Sequence, residues 1–361
     1  MEQLTRSDTV AVVLDERAVR SWGLFGVGLW VASWVAIWAA IWAVFSGCAA
    51  LGTKEIPVKE LLPRYGGEGS KFLEIEGMKI HYRDQGTGPA LVMLHGVCAS
   101  LHTWDGWVEA LGDRYRLVRI DIPGFGLTGP APDKKLYRRE KGIALVDTLV
   151  TRLGLSRFVL VGNSLGGYIA WNYALAHPDK VDKLVLIDPV GYNQKLPGLL
   201  RLATHPMVRP FARHIMPRSF FEDAVDEVYG DPRRATASIR RRYFELSQRQ
   251  GNKSAYVDVF LVMKEENQKK TLGDDIKKIQ TPTLVLWGAK DRWIPVRHLA
   301  SWQRDLENGT FIVYEGIGHM PMEELPGETA RDVSAFLEGT LREAPAPLED
   351  KDAAKLSASP F

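Results

Sequence analysis

A serine hydroxyl is a poor nucleophile until a base takes its proton and a third group orients that base. One stretch of this chain is spelled for such a serine: Val159-Leu160-Val161-Gly162-Asn163-Ser164-Leu165-Gly166-Gly167-Tyr168-Ile169-Ala170. An apolar, β-branched run from Phe158 to Val161 stops at a glycine. Ser164 follows, and a double glycine leads into apolar residues at helical spacing (Tyr168, Trp171, Tyr173, Ala174, Ala176). Gly-x-Ser-x-Gly between a strand and a helix is the pattern of a nucleophile elbow. The serine sits on a sharp turn with strained backbone angles, so residues two before and two after it must lack bulk. The turn points Oγ out of the sheet and aims backbone N–H groups at an incoming oxyanion. In a loop the same five residues would be a chance match; the strand before and the helix after distinguish this one.

The elements that must hold such a serine can be followed along the chain. Phe72–Ile75 and Met78–Tyr82 alternate about Glu76-Gly77, a hairpin signal. Residues 90–94 and 117–120 are short apolar strands, the first running into His95-Gly96-Val97-Cys98 and the second into Asp121-Ile122-Pro123-Gly124-Phe125-Gly126. Residues 137–153 have helical periodicity and stop at Gly154. After the elbow and its helix comes a strand at 184–187. From 189 to 272 strand candidates vanish, prolines punctuate short helical stretches and basic residues cluster, the pattern of a helical cap insertion. The rhythm resumes with a strand at 283–287, a helix through Leu299, a strand at 311–314 and a final helix at about 327–340. Strands alternating with helices predict a mostly parallel sheet covered on both faces. The core is therefore expected over 71–188 and 273–342, with the cap over 189–272, a polar linker over 52–70 and a disordered tail over 343–361.

Residues 1–20 form a polar leader, and no charge occurs from Ser21 to Leu51. Leu24–Phe45 is long enough to cross a hydrocarbon core of about 30 Å as a helix. Trp30, Trp34, Trp38 and Trp42 recur at i+4 and make one stripe suited to lipid or interface contact. The segment ends Phe45-Ser46-Gly47-Cys48, which is similar to the lipobox of bacterial lipoproteins and would make Cys48 a lipidation site. An uncleaved signal anchor is the equal alternative. Arg17 and Arg20 before the segment favour N-in, C-out, with the globular part tethered on the exported side.

Composition narrows the classes further. A net charge of +2 gives no reason to expect nucleic acid. Two cysteines, Cys48 and Cys98, make no disulfide framework, and no Cys/His cluster has zinc spacing. There is no P-loop, and no Gly-x-Gly-x-x-Gly follows a strand.

Over roughly residues 71–340 the chain resembles the α/β-hydrolase family. The matching pieces stand in the family's order: His95-Gly96, Asp121–Gly126, the elbow at Ser164, Gly288-Ala289-Lys290-Asp291 and Gly318-His319-Met320-Pro321. The resemblance implies a triad of Ser164 as nucleophile, His319 as general base and Asp291 as the acid orienting it. The lesser reading of Asp291 is an N-cap for a helix near Pro295, and Asp188 occupies the alternative acid position used in some branches. The oxyanion hole would be the backbone N–H groups of Val97 and Leu165, with His95 shaping the loop, Asp121 organising the backbone and Cys98 a buried filler. A serine at 164 disfavours the branches with an aspartate nucleophile, the haloalkane dehalogenases and epoxide hydrolases. The triad needs no cofactor and no metal.

The implied function is a membrane-tethered serine hydrolase acting on a small hydrophobic or lipid-like ester. The cap supplies the only handle on substrate, being rich in Leu199, Leu200, Phe211, Phe220, Phe221, Tyr229, Tyr243, Phe244, Tyr256 and Phe260. Its arginines, Arg233, Arg234, Arg240, Arg241 and Arg242, read first as a solvated helix face and otherwise as a site for a carboxylate or anionic lipid. Hydrolysis of a C–C or amide bond on the same fold, and a non-catalytic ligand-binding member, are the alternatives.

Overall fold

Short β-branched runs that are buried on both faces have no polar side to offer water, so they stack into the middle of a sheet. A computed structural model describes residues 52–67 and 69–341, with Trp34 alone before them. It contains one eight-stranded sheet in the order β1-β2-β4-β3-β5-β6-β7-β8. The strands are β1 (Ser70–Ile75), β2 (Met78–Gln85), β3 (Ala90–Leu94), β4 (Arg116–Ile120), β5 (Phe158–Asn163), β6 (Val181–Ile187), β7 (Thr283–Gly288) and β8 (Gly309–Tyr314). From β4 onward across the sheet every pairing is parallel, while β1–β2 and β2–β4 are antiparallel. The β1–β2 hairpin turns on Glu76 and Gly77, both at positive φ (48° and 74°), as a primed two-residue turn requires.

Twelve α-helical segments are described among these residues: α1 (Val58–Leu61), α2 (Asp105–Leu111), α3 (Arg139–Arg152), α4 (Leu165–Ala176), α5 (Gly198–Ala203), α6 (Arg209–Ala212), α7 (Arg218–Val228), α8 (Ala237–Ser247), α9 (Asn252–Asn267), α10 (Leu299–Asp305), α11 (Pro321–Glu324) and α12 (Pro326–Glu338). The sheet and its helices enclose one large core, in which Trp104, Trp107, Trp171, Trp287 and Trp302 are fully buried. Trp107 on α2 donates to Thr329 on α12 at 2.9 Å, fixing those two helices to each other. Between β6 and β7 there is no strand; α5 to α9 fill that stretch.

Two sequence expectations change. The helix expected to end at Leu299 begins there, because residues 291–295 fold as a loop around the Asp291 carboxylate, which accepts from the N–H groups of Trp293 and Ile294. The stretch 52–70, read as a polar linker, carries packed structure: Leu61 and Tyr65, one helical turn apart, form a small core with Leu127 and Leu246, and the Ile56 N–H donates to the Gln248 carbonyl at 2.7 Å. The leader, the segment expected to cross a membrane (21–51, with Cys48) and the tail over 343–361 lie outside the described residues, apart from Trp34. Among the described residues no helix is long and apolar enough to cross a membrane.

Candidate active site

The elbow is built by close approach. Ser164 has φ 54° and ψ −114°, a left-handed conformation that costs a side-chain-bearing residue free energy and persists only where its surroundings hold it. A Cβ at Gly162 would lie 2.3 Å from the Gly166 carbonyl oxygen, and one at Gly166 would lie 2.2 Å from that of Leu94, so backbone itself fills the space a side chain would need. The start of α4 is thereby pressed against the end of β3. The N–H of Leu165, an orphan donor of the first helical turn, and the N–H of Val97 find no acceptor among the described residues. Two free donors beside a buried serine are the ingredients of an oxyanion site.

His319 and Asp291 meet. Nδ1 of His319 donates to Asp291 Oδ2 at 2.6 Å, with both side chains buried. The other oxygen, Oδ1, accepts from Trp293 N at 2.7 Å and Ile294 N at 2.8 Å. This is a capping interaction and an orienting one together, so the two sequence readings of Asp291 are not exclusive. A carboxylate accepting at Nδ1 leaves Nε2 as the acceptor of the imidazole. The turn around His319 is tied down on several sides: His319 N donates to the Val228 carbonyl (2.7 Å), Gly318 N to Glu324 (2.8 Å), and Asn163 Nδ2 to the His319 carbonyl (3.2 Å). Asn163 directly precedes Ser164, so base and nucleophile are referenced to the same strand end. No hydrogen bond joins Ser164 Oγ to His319 among the described residues; such contacts often tighten only when substrate is bound.

Asp188, the other acid position, is also here, fully buried at the end of β6 with φ 43°. One of its oxygens accepts from Gly288 N at 2.9 Å. Burial first, and then the charge of Asp291, push its carboxyl well above the usual range. Asp188, Asp291 and His319 are also the one cluster of potential metal ligands among the described residues, with ligand atoms all within 4.8 Å of one another. Within this cluster His319 Nδ1 and Asp291 Oδ2 are spent on each other.

Asp121 accepts from His81 Nδ1 (2.7 Å), Leu101 N (2.7 Å) and Leu127 N (2.8 Å), which organises the turn after β4. Burial alone would raise its carboxyl, but His81 beside it brings it far below the ordinary value. His95 accepts from Ile122 N at 3.0 Å and sits 2.7 Å from the Gly96 carbonyl; burial depresses its imidazole. Cys98, expected as a buried filler, is instead half-buried at φ 58° and lines a cleft beside His319; desolvation pushes its thiol up.

Two apolar clefts flank the site, one lined by Ser164 and the other by His319. The larger, about 990 Å³ counting its open mouth, runs from Val97 and Ser164 past Ile122, Leu145, Ile169 and Leu200. The second, about 460 Å³, is lined by Leu199, Phe221, Val225, Tyr243 and His319. Val97 and Trp293 line both. Of the aromatic and aliphatic residues picked out in the insertion, Leu199, Leu200, Phe221 and Tyr243 face the clefts, Tyr256 and Phe260 are core, and Phe211 is exposed. The arginines do not form one solvated face. Arg242 turns inward to Glu323 (2.6 Å), which also takes Thr103 Oγ1 (2.6 Å), while Arg240 pairs with Asp226 and Arg233 with Asp231.

Asn163, Trp293 and Glu324 were not singled out by the sequence reading. Glu324 accepts from the N–H groups of Gly230, Asp231 and Gly318, and so ties the insertion to the histidine turn. Its position five residues beyond His319 was the one available signal.

A model of the alpha/beta hydrolase fold matches residues 89–326. The chain is similar to a monoacylglycerol lipase of Xenopus laevis, at 26% identity over 279 residues that span 70% of this chain and 76% of that protein. It is equally similar to a 2-hydroxy-6-oxo-6-phenylhexa-2,4-dienoate hydrolase of Comamonas testosteroni, 26% identical over 289 residues covering 75% of this chain and 97% of that one. A crystal structure of a bacterial membrane phospholipase A superposes with a TM-score of 0.64 at 26% identity, covering 89% of this chain and 99% of that chain.

Proposed function

The chain belongs to the α/β-hydrolase fold family, and from that premise we propose that it is a serine hydrolase cleaving a hydrophobic, lipid-like carboxylic ester through an acyl-Ser164 intermediate. The observation that carries this reading is the 2.6 Å bond from His319 to Asp291, in a turn that Asn163 ties to the strand bearing Ser164. His319 Nε2 takes the proton of Ser164 as Oγ attacks the ester carbonyl. The N–H groups of Val97 and Leu165 receive the developing oxyanion. The imidazolium, held by Asp291, gives its proton to the departing alcohol, and water activated by the same imidazole then releases the acid.

The apolar linings on both sides of Ser164 suit an acyl chain in one cleft and an apolar alcohol portion in the other. The lipase and phospholipase relatives favour a glycerolipid ester. Attachment to a membrane through residues 21–51, with the hydrolase outside, accords with the membrane phospholipase as structural neighbour. Whether Cys48 is lipidated or the segment is a plain anchor is separated by metabolic labelling with a fatty-acid analogue, which marks wild type and not Cys48→Ser only in the first case.

The experiment for the ester reading is a chain-length series of p-nitrophenyl esters and monoacylglycerols, with the Comamonas relative's 2-hydroxy-6-oxo-6-phenylhexa-2,4-dienoate assayed alongside. Ester turnover that rises with chain length supports the proposal. Turnover of the dienoate with inert esters transfers it to C–C hydrolysis, the second reading, which the coverage of 97% of that relative keeps in play.

A further inference from the structure

The insertion carries a surface unlike the rest of the molecule. Leu202, Met207, Phe211 and Ile215 stand 54%, 76%, 66% and 36% exposed. Hydrogen bonds from Arg209 N to His205 O, Ala212 N to Val208 O, Arg213 N to Arg209 O and Ile215 N to Phe211 O carry helical pitch from 205 to 215. Met207, Phe211 and Ile215, spaced by four, therefore share a face. A monomer in water rarely keeps large apolar side chains side by side at such exposure without a use for them.

The charge around them has one sign. No aspartate or glutamate occurs from Gln194 to Phe221, while Lys195, Arg201, Arg209, Arg213 and Arg218 do. Arg213 is held by Asp258 and Arg218 by Glu222. Lys195, Arg201 and Arg209 are exposed and have no acidic partner among the described residues. Lys195, Arg201, His205 and Lys264 line one shallow groove with Leu196 and Pro206, and Leu196 also lines the larger cleft that holds Ser164.

Exposed apolar side chains beside three unpaired cations, with Asp258 and Glu222 already spent on Arg213 and Arg218, match the headgroup layer of an anionic bilayer: phosphates for the cations, acyl chains for the apolar tips. We propose that the Leu202–Ile215 face docks on an anionic lipid surface, Met207 and Phe211 entering between the lipids and Lys195, Arg201 and Arg209 meeting their phosphates. The mouth of the larger cleft then opens at the lipid surface, so an ester could pass from the bilayer to Ser164 without crossing water. The docking itself stands independently of what the site hydrolyses.

Hydrogen exchange of the full-length chain, reconstituted in phosphatidylcholine vesicles with and without phosphatidylglycerol, tests this. Amides of 205–215 are expected to exchange about tenfold more slowly when phosphatidylglycerol is present. Arg201→Glu with Arg209→Glu, and separately Met207→Ser with Phe211→Ser, should abolish that slowing, with thermal midpoint and turnover of a short soluble ester unchanged. Equal exchange in both vesicles and in both variants would overturn the proposal. So would protection that appears without vesicles and grows with protein concentration, which would assign the face to a second copy of the chain.

Discussion

Around Ser164 and His319 backbone presses on backbone: glycines are fixed by carbonyl oxygens little more than 2 Å from where a Cβ would stand, and the histidine turn is tied to β5, to Val228 and to Glu324. Across the cleft, α5 to α9 present apolar side chains, and a Cβ at Gly198, at the start of α5, would meet nothing within 4 Å; the insertion is enclosed as tightly as the elbow where Gly230 meets the histidine turn, a Cβ there lying 2.3 Å from the Gly316 carbonyl oxygen. On the proposed reading, chemistry that demands sub-ångström placement sits on this rigid half, and selection of a hydrophobic substrate on the side chains of the other. The contrast is open to test from both sides.

The largest effect belongs to the rigid half. Ser164→Ala or His319→Ala should lower kcat by roughly 10³-fold or more, as expected for residues acting as a unit, with the thermal midpoint nearly unchanged. Next come paired glycine substitutions. Gly166→Ala forces a Cβ against the Leu94 carbonyl and should destabilise the fold by about 3 kcal/mol or prevent folding, whereas Gly198→Ala should be neutral or stabilising by up to about 1 kcal/mol. Denaturant titration reads both; equal costs would erase the contrast.

Asp188 sharpens it. A carboxyl pushed toward its neutral form by burial can be replaced by an amide, so Asp188→Asn should keep activity within about threefold, while Asp188→Leu, unable to accept from Gly288 N, should lose about tenfold or more. Similar losses in both variants would mean that Asp188 carries a charge. Smaller again, Leu200→Trp should narrow the larger cleft and lower kcat/KM for long-chain esters about tenfold while sparing short ones.

The smallest effect is on stability. His102, buried between Ser100 Oγ and the Tyr65 carbonyl, has its imidazole lowered by burial to about 4. The unfolded chain binds its proton near pH 6.5. The stability tied to neutral His102 is thus complete above that value and is lost as the pH falls toward 4, by at most about 3 kcal/mol. His102→Gln should flatten the fall in thermal midpoint over that window; an unaltered slope would assign it to other groups.

The rigid half was also the legible half. An elbow, a strand-ending Asp291 and a histidine turn are spelled locally, because glycines and turn residues are forced by the backbone within a few positions of each chemical group. Their order along the chain then singles them out. The supports were not legible: Asn163 reaches the His319 carbonyl and Arg242 reaches Glu323 across distances in sequence that no local period records. The insertion was readable as helical and apolar, but which side chains face the cleft depends on how five short helices pack. Tyr65 and Leu61, in what reads as a polar linker, show the same limit, since only the facing Leu127 and Leu246 make them a core.

The central claim is that Ser164 is activated by His319. Labelling of the folded full-length protein with a fluorophosphonate probe, wild type beside Ser164→Ala and His319→Ala, tests it most directly. Covalent labelling of the wild type at Ser164, absent from both variants, is the predicted result. A folded wild type that takes no label, or a Ser164→Ala protein that labels equally, would contradict it.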